Sequence, residues 1–260
     1  MVLYNHQTLW RNSWDSILLL SLTAQDVLLE YRSLNWYSSQ ILSLMPFLKL
    51  ELTLVIAPHF SLSQFSQWVH DCDLTVSVGV STVIQLLLKQ ADAGQRPDLG
   101  TLRLMTSSTA SLASHHWQRF EAVYDIPVLN LYSSTETGWI SGNRLSCRKV
   151  GSVGKLLPSM MLADQNGPRA ATDGWLSVHT PKMELGYLSS AGRFHPLRGK
   201  PFALQDFVHL DDQGFVHVLG RADDLIIRAG IKISLVEIEA VGIVDVPDEL
   251  LGLRMAVLSC

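Results

Sequence analysis

The stretch Ile126-Pro127-Val128-Leu129-Asn130-Leu131-Tyr132-Ser133-Ser134-Thr135-Glu136 runs from an apolar segment straight into three hydroxyls and a carboxylate. Ile126–Tyr132 has no helical spacing of apolar residues, and its short run between Asp125 and the hydroxyls fits a strand buried on both faces. Just before it, Ser114–Tyr124 places Trp117, Phe120 and Val123 on one side of a helix, and Leu102–Thr106 is another short apolar strand. Further back, Glu51–Ala57 forms a strand pattern bounded by Pro58. Ser61 then stands three residues before Gln64, a capping-box spacing, with Phe65, Trp68 and Val69 following on one face. Leu74–Val80 continues as a strand and Thr82–Gln90 as a helix, while Ala91–Gly100, holding Gly94, Pro97 and Gly100, is a loop.

Strand alternating with helix predicts an α/β fold with a parallel sheet covered by helices. Such sheets hold ligands just beyond the carboxyl ends of their strands. Two segments occupy those places: Ser107-Ser108-Thr109-Ala110, and Ser133-Ser134-Thr135-Glu136-Thr137-Gly138. From Gly151 onward, recurrent Gly and Pro between short apolar pieces predict an antiparallel, turn-rich region. Phe207–Leu210, the turn Asp211–Gly214 and Phe215–Leu219 form a hairpin there, followed by a last small unit of Leu225–Ile227, Ser234–Val241 and Gly242–Val246.

Composition narrows the function. The chain has 260 residues, of which 47% are hydrophobic and 17% charged, enough to bury a substantial core. Twenty basic residues against 24 acidic ones give a net charge of −4, which excludes a dedicated nucleic-acid binder. Cys72, Cys147 and Cys260 are odd in number and far apart, so neither a disulfide framework nor a zinc cluster is expected and a reducing cytoplasm is the simplest compartment. The longest apolar stretches, Ile17–Leu22 and Ile41–Leu54, fall short of the roughly 20 residues that cross a bilayer or are broken by polar residues. The amino terminus has no charged segment leading into an apolar one, so no secretory signal is expected.

The candidate chemistry carries competing readings. Hydroxyls and a carboxylate at Ser133–Glu136 suit phosphate oxygens and a Mg²⁺ ion; the residue types alone favour a helix N-cap with Glu136 at the positive end of the helix. Asp206 and Arg221 bracket the hairpin and can meet at one rim, where the carboxylate would accept from ribose hydroxyls; as residues alone, a structural ion pair is the simpler reading. Gly151–Lys155 lacks the spacing of a Walker loop, and Gly79–Val83 lacks the final Gly of a nucleophile elbow. Adjacent His115 and His116 splay apart on a helix and read as surface residues, and Met160-Met161 as core.

Taken in order, these pieces resemble the adenylate-forming acyl-CoA synthetase (AMP-dependent synthetase/ligase) family. Tyr132-Ser133-Ser134-Thr135-Glu136 resembles its Tyr-Gly-x-Thr-Glu segment, and Gly151-Ser-Val-Gly154-Lys155 its Gly-x-Val-Gly-x-Pro step. Leu204-Gln205-Asp206 stands where the family has Thr-Gly-Asp. Gly220–Ile227, with Gly230-Ile-Lys232-Ile233 and Glu237-Ile-Glu239, resembles its hinge, and Val246-Pro247-Asp248-Glu249 part of its small domain.

The resemblance implies a large AMP-binding domain over 1–222 (a parallel sheet with helices plus a β-rich subdomain) and, over 223–260, a hinge with a truncated small α+β domain. It implies ATP or AMP, Mg²⁺, coenzyme A and a small carboxylic acid as ligands, with an acyl adenylate formed first and a thioester second. Tyr132 would pack on adenine, with Ser108, Thr109, Ala110 and Ser133 in the same pocket. Thr135 would lie on the α-phosphate, Glu136 on Mg²⁺, Asp206 on the ribose and Arg221 beside it. Asp223 would be the hinge, Gly230 part of the coenzyme A loop, and Asn35-Trp36-Tyr37 a gate over the acyl group. The family's phosphate-holding loop would precede Met1 and its catalytic Lys would follow Cys260; the chain also looks shorter than the family pattern between Ala240 and Val244. The expectation is a chain truncated at both ends with impaired adenylation, a partner chain supplying the missing parts, or a non-catalytic adenosine-nucleotide-binding fragment.

Overall fold

The computed structural model describes residues 1–108, 111–158, 160–163, 173–197, 201–221, 225–228, 231–234, 243–248 and 252–257. The chain opens with the short strand β1 (Val2–Leu3) and helix α1 (His6–Leu20), whose first turn is capped by Asn5 accepting from the Thr8 amide at 2.8 Å. Strand β2 (Val27–Glu30) follows, then α2 (Tyr37–Ser39), a π-helical turn over Gln40–Leu44, and α3 (Met45–Leu50). From there the predicted alternation holds: β3 (Thr53–Ile56), α4 (Leu62–Asp71), β4 (Val76–Ser77), α5 (Ser81–Asp92), β5 (Leu104–Ser107), α6 (Ser114–Tyr124) and β6 (Val128–Ser134).

Strands β3, β2, β4, β5 and β6 lie side by side and parallel. The sheet is then extended by antiparallel β7 (Gly138–Gly142) and β8 (Lys155–Leu156). Buried Leu28, Leu29, Val76, Leu104, Val128 and Leu129 form its core, covered by fully buried Phe65 of α4 and Trp117 and Phe120 of α6. Glu121 fixes that last helix to the sheet: its Oε1 accepts from the Trp117 indole and from the Val128 amide, both at 2.8 Å.

The turn-rich half is antiparallel, as expected. A second sheet runs in the order β14 (Val216–Arg221), β13 (Phe202–Leu210), β10 (Asp173–His179) and β9 (Met161–Ala163). A third pairs β1 with β11 (Gly186–Leu188), itself paired with β12 (Phe194–Pro196). The segment Gly151–Lys155, which only briefly resembles a phosphate loop, instead welds the first two sheets: the Val153 amide donates to Val216 O at 2.8 Å, and the Val216 amide to Gly154 O at 2.9 Å. Two hairpins, β15 (Leu225–Arg228) with β16 (Ile231–Ser234) and β17 (Ile243–Asp248) with β18 (Gly252–Val257), complete the described chain.

Several expectations are corrected. Ser133–Glu136 caps no helix; β6 turns back into β7, because Gly138 adopts φ +72 and closes a hairpin. Ser61 precedes α4 but makes no side-chain cap; its hydroxyl lies 3.3 Å from that of Ser63. His115 and His116 do not splay: their rings stand 4.0 Å apart. The loop after α5 starts only beyond Asp92. The unit expected over Ser234–Val241 falls outside the described residues after Ser234. Among the described residues no helix is long and apolar enough to cross a membrane.

The amino-terminal edge of the parallel sheet is locked by one carboxylate. Asp26 accepts from Arg103 Nε at 2.7 Å and Nη2 at 2.9 Å, from the Thr75 hydroxyl at 2.7 Å and from the Thr23 amide at 2.8 Å. Burial alone would push this carboxyl up, but the Arg103 guanidinium, the Thr75 hydroxyl and the Thr23 amide outweigh it and hold it below the usual carboxylate range. Asp26→Ala is therefore expected to cost about 2–3 kcal/mol in urea unfolding at pH 7. Because the folded value is depressed, that advantage is full above the unfolded value near 4 and is lost as pH falls through the folded one. A difference between the two proteins that stays constant from pH 7 down to pH 2 contradicts the assignment.

Candidate functional site

Two parallel strands deliver hydroxyls to the carboxyl end of the sheet. The first, β5, ends at Ser107, and Ser108 continues it in a bridge to Val80. The Ser107 and Ser108 hydroxyls are buried and have no hydrogen-bond partner among the described residues, so a bound ligand could complete them. Thr109 and Ala110, expected beside them, lie outside the described residues.

The second strand, β6, is buried through Val128–Leu131 and emerges at Tyr132, Ser133 and Ser134, which are half-buried. The ladder to β7 slips between Tyr132 and Ser133, a bulge that re-aims the strand just where it reaches the site. In the turn, the Thr137 amide donates to Ser134 Oγ at 3.1 Å; Thr135 is exposed and Glu136 half-buried.

From the other side comes β13. The Tyr132 hydroxyl donates to Asp206 Oδ2 at 2.5 Å, bringing together two expected site residues 74 positions apart. Asp206 is buried, and its register partner on β14 is Arg221, so the two stand on neighbouring strands as expected. The Arg221 side chain is outside the description, as are Asp223 and Gly230.

A second cluster adjoins the turn, and most of it escapes sequence reasoning. The Tyr187 hydroxyl donates to Glu136 Oε1 at 2.9 Å, and the Glu184 amide donates to the Glu136 carbonyl at 3.0 Å. The Tyr4 hydroxyl donates to Thr135 O, and the Tyr4 ring stacks on Tyr37 at 4.0 Å. Asn12 donates to the Tyr37 hydroxyl at 2.8 Å and accepts from the Trp139 amide at 3.2 Å, tying α1 to both. Tyr37, expected as part of an acyl gate with Asn35 and Trp36, is thus buried and held, whereas Trp36 is about half exposed. Burial, reinforced by neighbouring Glu136 and Glu184, pushes the Tyr4 and Tyr187 hydroxyls well above their ordinary value.

Glu184 is fully buried, and burial together with the Glu136 charge lifts its carboxyl to about 8 despite an opposing contribution from its own amide. Its sequence signal is slight: one carboxylate between Met183 and Leu185 in an apolar run ahead of Gly186. Glu136 and Glu184 offer hard oxygen donors, and the unmet oxygens of Glu184 make this corner chemically suited to a cation.

A parallel sheet ending in hydroxyls, faced by an antiparallel rim that presents a carboxylate, is the plan of an α/β protein holding a ligand where two sheets meet. The chain belongs to the AMP-binding enzyme family, whose model matches residues 1–188. It is 30% identical over 202 residues to the oxalate–CoA ligase of Arabidopsis thaliana, covering 73% of this chain and 38% of that protein. It is 29% identical over 191 residues to the 2-succinylbenzoate–CoA ligase of Geobacillus kaustophilus, covering 70% of this chain and 38% of that protein. The chain thus spans under two-fifths of the length of these curated relatives. Its fold matches that of ATP-bound MatB from Rhodopseudomonas palustris (TM-score 0.79, 24% identity, 98% of this chain and 54% of that one). It also matches an anthranilate CoA ligase holding anthranoyl-AMP (TM-score 0.82, 20% identity, 97% of this chain and 52% of that one).

The turn is sensitive to one glycine. A Cβ at position 138 would collide with the Asn12 side chain, and the φ of +72 disfavours any L side chain. Gly138→Ala should cost about 2 kcal/mol or more in thermal or urea unfolding. Adding Asn12→Ala removes the collision but also the bonds to Tyr37 and the Trp139 amide, so the double variant should stay below wild type while losing less than the sum of the two single losses. A single variant that unfolds with wild-type stability refutes this geometry.

Proposed function

We propose that this chain forms the adenosine-binding side of an AMP-forming carboxylate–CoA ligase. The observation that carries the proposal is the Tyr132–Asp206 hydrogen bond, which holds an aromatic ring and a carboxylate at one rim between the two sheets. A ring there offers a face to a purine, and a buried carboxylate accepts from paired ribose hydroxyls. The family membership and the order of the matched segments support the same reading.

In this reading the substrate carboxylate attacks the α-phosphorus of ATP and pyrophosphate leaves; the thiol of coenzyme A then attacks the acyl carbon and AMP leaves. Tyr132 and Asp206 fix base and sugar, Ser108 and Ser133 line the pocket, and Thr135 presents its hydroxyl to the α-phosphate. Arg221 lies beside the ribose, Asp223 at the pivot of the small domain over 223–260, and Gly230 on the loop that meets coenzyme A. Glu136 would hold a Mg²⁺ ion, which supplies charge neutralisation at the phosphates. Tyr187 orients the Glu136 carboxylate for that purpose.

Residues 1–260 contain no Walker-type sequence, and we expect this polypeptide on its own to bind AMP better than it turns over ATP. Isothermal titration calorimetry with AMP should show binding that Asp206→Ala weakens about 10–100-fold, the loss of hydrogen bonds to a charged acceptor. Unchanged affinity in that variant defeats the site assignment. Parallel ATP–pyrophosphate exchange with a panel of carboxylic acids separates the two forms of the proposal. Exchange above background marks a working ligase, and AMP binding without exchange marks a nucleotide-binding fragment.

A further inference from the structure

Glu184 sits on the segment leading into β11 with no exposed surface, and among the described residues no donor meets either of its carboxyl oxygens. An unmet buried acceptor is costly, and more so when ionised. The nearby cations do not relieve it. The Lys182 ammonium pairs with Asp15, and Arg11 donates to the Pro181 carbonyl at 3.3 Å. Of the hydroxyls that its charge affects, Tyr4 donates to Thr135 O and Tyr187 to Glu136 Oε1, while the Tyr37 hydroxyl accepts from Asn12 at 2.8 Å. Glu136, of like sign, acts on it, and the two backbones are clamped together by the Glu184 amide on the Glu136 carbonyl at 3.0 Å.

Two neighbouring carboxylates, one buried without a donor and one half-buried at the edge of the site, are relieved together by positive charge. We propose that Glu184 is a second carboxylate ligand for a hard divalent cation of the Mg²⁺ or Mn²⁺ class held with Glu136. The inference rests on the reading of Glu136 as a cation ligand and extends it to a residue outside the sequence motifs. On cation binding the buried Glu184 carboxyl gives up its proton to solvent and becomes a second anionic oxygen donor, which raises the affinity of the site because affinity follows ligand charge and number. It also makes the cation a structural clamp between the β6–β7 turn and the segment entering β11, independent of nucleotide.

The test is Mn²⁺ binding to the whole purified chain without nucleotide, read as loss of the free-ion electron paramagnetic resonance signal. Wild type should bind at a dissociation constant of about 1 mM or tighter. Glu184→Gln and Glu136→Gln should each weaken binding about tenfold or more. Glu184→Met guards against a folding failure: it should melt at or above the wild-type temperature without metal and lack the Mn²⁺-induced rise that wild type shows. If Glu136→Gln loses Mn²⁺ while Glu184→Gln binds as wild type does, the Glu136 reading stands and this inference falls. If neither variant differs, or wild type binds no Mn²⁺, or K⁺ or ammonium displaces Mn²⁺ at equal concentration, the divalent site is wrong. Loss of AMP binding in Asp206→Ala bears only on the adenosine rim and leaves this result unaffected.

Discussion

The Tyr132 hydroxyl bonded to Asp206 joins the end of a buried parallel strand to the edge of a separate antiparallel sheet, and the geometry of the site depends on that junction. Neither residue could hold its position alone. Tyr132 is placed by the apolar run that buries β6 and by Glu121, which accepts from the amide at its start. Asp206 is placed by the β13–β14 ladder, and that ladder is fixed to the large sheet through Val153, Gly154 and Val216. The segment Gly151–Lys155 thus sets the distance between the two halves of the site.

Below this junction the protein separates stability from function along the strands. Asp26, Thr75 and Arg103 close the amino-terminal edge of the sheet with a charge network built on the buried, multiply bonded Asp26 carboxylate. At the carboxyl edge, Ser107, Ser108 and Glu184 are buried with unmet polar atoms. Unmet groups are costly in a folded protein; others lie on the covering helices at Gln90 and His116, but the two serines end a parallel strand, where such sheets receive ligands.

Most of the parallel sheet is legible in the sequence, because each strand is a short apolar run and each covering helix carries its aromatic residues at helical spacing, as at Trp117 and Phe120. The hairpin around Asp211–Gly214 is equally plain: Asp211 Oδ1 accepts from the Gln213 and Phe215 amides at 2.9 Å, and Gly214 takes a positive φ. The Ser133–Glu136 turn misleads, since hydroxyls before an acidic residue look like a helix cap. Gly138 decides otherwise, and its role depends on Asn12, far away in the chain. Of the site, Asp206 is already marked by its place beside the hairpin and Tyr132 comes from the resemblance, whereas Tyr4, Asn12, Glu184 and Tyr187 come from neither. Their roles arise from β1 pairing with β11, a contact across 183 positions that no local pattern encodes.

Photolabelling with 8-azido-AMP followed by peptide mapping tests the central claim most directly. Irradiation of the purified chain should attach the adenine to the peptide spanning Val128–Glu136, and excess AMP should suppress that label. Labelling that scatters over the surface, or that AMP does not compete away, would show that no adenosine socket forms where β6 meets β13.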